Sequence, residues 1–125
     1  MAQRLYTKSH EWIEVNGDTA TVGITDYAQH ALGDVVYVDI PAAGKIVTAG
    51  APAAVVESVK AASEVYAPVS GTITESNATI QLDPSLVNRA ADNDGWFFRL
   101  KIANNNELKN LLDETAYKNL LSSLS

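Results

Sequence analysis

The chain has 125 residues, of which 46% are hydrophobic, and this length and composition suit one domain with its own packed core. Its 9 basic and 15 acidic residues give a net charge of −6, which argues against nucleic acid or an anionic membrane as a partner. The absence of cysteine excludes disulfides and thiolate chemistry, and two histidines are too few for a histidine-rich zinc site, so we expect no metal.

No apolar run reaches the roughly 18 residues that a membrane-spanning helix needs. Residues 1–6 lack the apolar core of a secretion signal and do not resemble a long transit segment. We therefore expect a single domain over residues 1–125 that works where it is made. We expect it to act in the cytoplasm if the protein is bacterial, or in the mitochondrial matrix if it is eukaryotic.

Short strands dominate the first half of the chain. Alternating or apolar runs predict strands over 12–15, 19–24, 35–40, 45–48, 53–57, 64–69 and 71–76. Asn16-Gly17-Asp18 is a hairpin-turn signal between the first two of these strands. Thr25 is suited to cap a helix over 26–32, which Gly33 would end.

The second half mixes short helices with one further strand. Asp83-Pro84 predicts the start of a helical turn, 90–95 reads as a loop, and the sequence alternates as a strand from Phe98. From Glu107 the tail is predicted to form two helices, with Asp113 capping the second, and its leucine-rich face is expected to pack on the core. The pattern indicates a mainly β sandwich or flattened barrel with flanking helices.

Lys60 is the residue that most clearly suggests a function. It lies between the strand-like runs 53–57 and 64–69, so a hairpin would place its long, reachable side chain at or beside the tip. The small residues around it leave room for another protein to approach; they are Ser58, Ala61, Ala62 and Ser63. A lysine at such a position, without further signals, is usually only a solvated surface group.

The sequence around Lys60 resembles the lipoylation segment of the glycine cleavage system H-protein family. The matching stretches, in chain order, are Ser9-His10-Glu11-Trp12, Val22-Gly23-Ile24-Thr25, Tyr27-Ala28-Gln29, Leu32-Gly33-Asp34, Pro41, Gly44, Glu57-Ser58-Val59-Lys60-Ala61, Pro68-Val69-Ser70-Gly71, Pro84-Ser85-Leu86-Val87-Asn88 and Gly95-Trp96. They extend over nearly the whole chain, from Tyr6 to Leu121.

The resemblance implies a lipoyl-domain fold of two small facing sheets and a carrier rather than an enzyme, with no catalytic residue of its own. Lys60 would carry lipoate through an amide bond. The arm would take an aminomethyl group from glycine decarboxylase, pass it to an aminomethyltransferase, and be reoxidised by dihydrolipoamide dehydrogenase. A lipoate ligase or lipoyl transferase would attach the cofactor.

The resemblance also implies roles for three other residues, and a role for a fourth, Glu57, follows from its charge and its spacing before Lys60. Ser9, Glu11 and Glu64 fall on family positions near the stowed arm, and Glu57 is expected to help the attaching enzyme recognise the tip. Read from the residues alone, Glu11 is as well explained as an ordinary surface acid. Trp12 and Trp96 are expected in the core.

Other roles for Lys60 fit the sequence less well. A Schiff-base lysine needs desolvation or a neighbouring cation, and biotin acceptor lysines typically sit between methionines. Two alternatives remain open: a lipoyl carrier that serves 2-oxoacid dehydrogenases, and a binding module whose lysine stays unmodified. The chain departs from the family at Ala90-Ala91, where members usually have Pro-Tyr, which leaves the shape of that loop open.

Overall fold

In the computed structural model, residues 3–124 are described; the initiating Met1 and Ala2, considered above with the N-terminal segment, lie outside them. The described residues form nine strands, four α-helices and a 3-10 helix. The strands are β1 Gln3–Tyr6, β2 Glu11–Asn16, β3 Thr19–Ile24, β4 Val35–Asp39, β5 Ile46–Val47, β6 Pro52–Ser58, β7 Ala62–Tyr66, β8 Gly71–Ser76 and β9 Phe98–Ile102. The α-helices are α1 Asp26–Leu32, α2 Ala78–Leu82, α3 Leu86–Arg89 and α4 Glu114–Leu124, and the 3-10 helix is Asn105–Asn110.

The strands form two antiparallel sheets. The larger has six strands in the order β1-β2-β3-β9-β8-β5, and the smaller has three in the order β4-β6-β7. Both sheets contribute to one core, in which Ile13 and Val22 of the larger sheet join Val38, Val56 and Val65 of the smaller. The mainly β architecture is therefore confirmed, although one sheet is larger than predicted and the sheets do not close into a barrel.

Trp12 is a core residue, as predicted, with 1% of its surface exposed. It pairs in register with Gly23, and a Cβ at Gly23 would lie only 2.7 Å from the indole ring, so no larger residue fits there without a shift. The indole Nε1 donates to the Ala91 carbonyl at 2.8 Å. The loop that departs from the family pattern thus still supports the tryptophan. The expectation that Trp96 is also a core residue was wrong, because its ring is only half-buried and is covered by the Arg99 guanidinium.

The predicted caps are present at two helices. The Thr25 hydroxyl accepts from the Ala28 N–H at 3.3 Å at the start of α1, and the Asp113 carboxylate accepts from the Ala116 N–H at 2.8 Å before α4. The tail packs on the core in part as expected: Tyr117 is buried and Leu108 and Leu111 contact the core, whereas Leu124 near the end of α4 is 52% exposed.

The predictions missed β1 and α2, and the start predicted for α3 was wrong. Strand β1 is short and was not recognised, although Leu5 is buried and Tyr6 exchanges backbone hydrogen bonds with Leu112. Asp83 does not cap α3, because Ser85 precedes that helix and Asp83 instead ends α2.

None of the helices formed by residues 3–124 has the length and apolar character that a membrane-spanning helix requires.

Candidate functional site

The hairpin predicted around Lys60 is formed by β6 and β7. Their last ladder pair is Glu57 with Ala62, so the chain reverses over Ser58 to Ala61. Lys60 lies in this turn and is exposed. The structure therefore places the lysine at the tip of the hairpin, as the sequence predicted.

Ser58 organises the turn that presents Lys60. Its hydroxyl accepts from the N–H groups of Lys60 and Ala61, both at 3.1 Å, and its own N–H donates to the Ala61 carbonyl at 2.8 Å. A serine that satisfies backbone groups in this way fixes a tight turn without a glycine. The sequence predicted only that Ser58 is small, although serine in a four-residue reversal is a recognisable turn signal.

The stem of Lys60 rests on the end of α1. Its Cε lies 3.1 Å from the position that a Cβ on Gly33 would occupy, and Gly33 has a φ of 81°. A side chain there would face both backbone strain and the lysine stem. The Val59 N–H donates to the Asp34 carbonyl at 3.0 Å, which ties the tip to the same segment.

Asn88 fixes the segment beneath Lys60, a role that the sequence analysis did not identify. Its amide donates to the Gly33 carbonyl at 2.8 Å and to the Gln29 side chain at 2.9 Å, while its oxygen accepts from the Val35 N–H at 2.8 Å. One side chain from α3 therefore joins the end of α1 to the start of β4. Only its position within the Pro84–Asn88 motif hinted at such a role.

A small cavity of about 200 Å³ lies between α1 and the β6–β7 hairpin. Ser9, Glu11 and Glu64, the three residues expected near a stowed arm, all line it. Apolar side chains complete much of the wall, among them Ile24, Leu32, Val56 and Val65. Glu57, by contrast, is exposed at the end of β6 and does not line the cavity.

Glu11 is a buried acid rather than an ordinary surface acid, with 2% of its surface exposed. Its Oε1 accepts from the hydroxyls of Thr7 and Ser9, both at 2.6 Å, and its Oε2 accepts from the Tyr66 N–H at 3.4 Å. The carboxylate therefore joins β2 to the last residue of β7, across the two sheets. Buried carboxylates persist where several donors compensate the lost hydration.

His10 supports this wall in a strained conformation. Its φ of 71° is unusual for a residue with a side chain. The ring Nδ1 lies 2.8 Å from the Tyr117 hydroxyl, which lies 2.7 Å from the Thr25 hydroxyl. Burial lowers the pKa of His10 below its ordinary value, and the nearby Glu11 charge opposes this shift.

Comparisons with known proteins identify the family of this chain. A family model described as glycine cleavage H-protein matches residues 4–124. The chain belongs to the glycine cleavage H-protein family. A protein named glycine cleavage system H protein from Paramagnetospirillum magneticum is 58% identical over 124 residues, which cover 99% of each chain. One of the same name from Thermus thermophilus is 53% identical and covers 96% of this chain and 94% of its own.

A solved structure shows the same fold. The crystal structure of a glycine cleavage system H protein from Mycobacterium marinum superimposes with a TM-score of 0.88 at 35% identity, over 96% of this chain and 97% of that one. The mainly β fold of two antiparallel sheets with flanking helices is therefore confirmed as that of an H-protein family member.

Proposed function

We propose that this chain is the lipoyl-bearing shuttle protein of a glycine cleavage system, with lipoate attached to Lys60. The observation that supports this best is that an exposed lysine at the tip of a hairpin lies close to a cavity that contains a buried acid. The only lysine in the hairpin turn projects at the tip, and the hairpin behind it forms one wall of the cavity that contains Glu11.

The surroundings of Lys60 fit an attached lipoyl group. Small side chains at Ala61 and Ala62 leave the amine accessible to an attaching enzyme. In the attachment step the amine of Lys60 forms an amide bond to the carboxyl carbon of an activated lipoyl donor, the leaving group departs, and the amine loses a proton. When bound, lipoate supplies a disulfide that takes up the aminomethyl group and two electrons as glycine decarboxylase releases CO₂.

The cavity residues have a role distinct from attachment. The apolar wall excludes water, and the Glu11 carboxylate is suited to accept a charge-assisted hydrogen bond from a protonated amine. The hydroxyls of Thr7 and Ser9 hold the carboxylate in place. We propose that this site shelters the carried aminomethyl group, and that Glu64, at the cavity rim, adds negative charge.

As a carrier, the chain performs no chemistry of its own. It tethers the group that meets glycine decarboxylase, the aminomethyltransferase and dihydrolipoamide dehydrogenase in turn, and tethering raises the local concentration of the group at each site. A lipoate ligase or lipoyl transferase loads it. The relatives reported above are bacterial proteins, and we propose that this protein likewise works in the cytoplasm.

Reconstitution tests the proposed function. The loaded protein, mixed with the three enzymes, glycine, tetrahydrofolate and NAD⁺ as the oxidant that restores the lipoyl disulfide, should support continuous release of CO₂ and ammonia. A Lys60→Arg variant, which keeps the charge but is not acylated, should support neither, whereas the matched change Lys101→Arg on β9 should leave the rate unchanged. Equal activity of the Lys60→Arg variant would contradict the proposal.

A further inference from the structure

An exposed apolar patch lies beside the Lys60 turn. We call Val36, Tyr37 and Val59 the tip patch; they are 55%, 51% and 68% exposed. Isolated exposed hydrophobic residues are common and need no explanation. Here, however, three of the seven large hydrophobic residues that are exposed within residues 3–124 lie around one lysine.

A β-bulge creates most of this patch. Val35 pairs with Ser58 and Tyr37 pairs with Glu57, so β4 has one more residue than β6 at this point. Regular alternation would turn Tyr37 to the same side as Val35, which is buried. With the extra residue, Tyr37 joins Val36 on the exposed side while Val35 and Val38 stay in the core. Bulges often redirect side chains in this way next to functional sites.

Protection of a sheet edge could account for a bulge in β4, but it does not account for the apolar side chains that this bulge exposes. Strand β4 is an edge of the smaller sheet, and natural edges are usually protected by charged side chains, proline or a bulge that twists the edge away. This bulge instead exposes a valine and a tyrosine. Aromatic side chains are enriched at the centres of protein interfaces.

Acidic side chains flank the tip patch. Asp34 precedes β4, and Glu57 pairs in register with Tyr37; both are exposed. Neither forms an ion pair with any residue of the described chain. A partner that covers the patch must therefore supply the opposite charge around an apolar centre.

We propose that the tip patch is the docking surface for the enzyme that delivers the lipoyl group to Lys60, and that this enzyme presents an apolar surface flanked by lysine or arginine. The inference rests on the proposed function, because it requires Lys60 to be the acceptor. The delivering enzyme has to hold the lysine amine in its own active site, so its surface must cover the residues next to the turn. The other partners act at the far end of a flexible arm and have no such requirement.

Loading kinetics test this inference. Unmodified protein is incubated with a lipoate ligase, lipoate and ATP, and kcat/KM is measured by intact mass. We expect the V36S/Y37S double variant to lose roughly tenfold or more in kcat/KM, mostly through KM, as for truncation of central interface residues. Val59→Ser, in the turn itself, should lose activity as an independent second variant if the double variant folds poorly.

Matched controls separate docking from general surface effects. Ile46→Ser and Leu82→Ser remove side chains that are 77% and 88% exposed and lie outside the patch, and both should load within about twofold of wild type. The acids that flank the tip patch are tested by varying the salt concentration. Wild-type kcat/KM should fall as ionic strength rises, and D34N/E57Q should load more slowly with a weaker salt dependence.

Two results would overturn the inference. Patch variants that load at the wild-type kcat/KM would show that the patch is not the docking surface, although Lys60 would remain the acceptor. Patch variants that are loaded to completion, but whose lipoyl disulfide is then reduced by NADH and dihydrolipoamide dehydrogenase as poorly as they were loaded, would show a surface shared by several enzymes. Failure of wild-type Lys60 to be loaded at all would contradict the proposed function itself.

Discussion

The hairpin turn and the cavity wall behind it differ in exposure and in the interactions that hold their conformations. At the turn, Val59 and Lys60 are exposed, and only Ser58 and the backbone hold the conformation. In the wall, Glu11 is buried and bonded across two sheets, and His10 is fixed by Tyr117. A group that must be modified needs exposure, whereas a group that shelters a reactive amine needs burial. The comparison predicts that substitutions at the turn change lipoylation with little change in the free energy of unfolding, and that substitutions in the wall lower the free energy of unfolding.

The largest effect is expected at the turn. Lys60→Ala should abolish lipoylation completely, because no other amine occupies the turn. Since the side chain is exposed, we expect the free energy of unfolding to change by no more than about 0.5 kcal/mol. Intact mass after incubation with the ligase gives the first value and urea denaturation the second. A large loss of stability would show that the stem of Lys60 over Gly33 is structural.

Glu11→Gln tests the sheltering role of the wall. The amide keeps one acceptor oxygen for Thr7 and Ser9 but removes the charge and turns an NH₂ group toward the Tyr66 N–H. The protein should therefore fold with lower stability and still accept lipoate. We expect the carried aminomethyl group to be lost roughly tenfold faster, since a charge-assisted hydrogen bond contributes about 1.5–3 kcal/mol. Release of formaldehyde and ammonia, without transferase or tetrahydrofolate, measures the loss.

The control for this prediction is Glu75→Gln on β8, which removes an acid from an exposed ion pair with Arg99. It should leave the loaded lifetime unchanged. If Glu11→Gln also retains the wild-type lifetime between about pH 6 and 8, a range around the ordinary histidine pKa, then Glu11 is structural and the shelter proposal fails.

Tyr117→Phe should affect stability without affecting loading. The variant keeps the stacked ring contact with Tyr6 but loses the hydroxyl that joins His10 to Thr25. Leaving these groups without a partner should cost about 1–3 kcal/mol of unfolding free energy. Tyr27→Phe, with an exposed ring, is the control and should cost little. A stability loss below about 0.5 kcal/mol would show that the hydroxyl network does not support the wall.

The smallest predicted effect is a pH dependence that comes from His10. Its pKa is lowered in the folded protein from an ordinary value of 6.5, so the unfolded chain binds more protons at mildly acidic pH. Its contribution to stability is therefore complete above pH 6.5 and is lost as pH falls from there through the lower folded value. Asparagine tolerates the left-handed backbone conformation of this position, so the His10→Asn variant should fold and should show a weaker dependence of stability on pH. His30→Asn is the control, because that ring is 74% exposed.

The sequence predicted the turn better than the wall, for physical reasons. Hairpins and caps are local, so Asn16-Gly17-Asp18, Thr25 and the Lys60 turn were recognisable from neighbouring residues. The burial of Glu11 depends on Tyr66, 55 positions away, and the role of Asn88 depends on Gln29, 59 positions away. Contacts of this range leave no local pattern. The bulge at Val36 likewise reverses the alternation from which strand faces are predicted.

The attachment of lipoate to Lys60 is tested most directly by peptide mapping. The protein is incubated with a lipoate ligase, lipoate and ATP, digested, and analysed by tandem mass spectrometry. The account predicts the mass of one lipoyl group on the peptide that contains Lys60, and none on any other lysine-containing peptide. Lipoylation elsewhere, or an unmodified Lys60 under conditions in which a known acceptor protein is fully loaded, would contradict it.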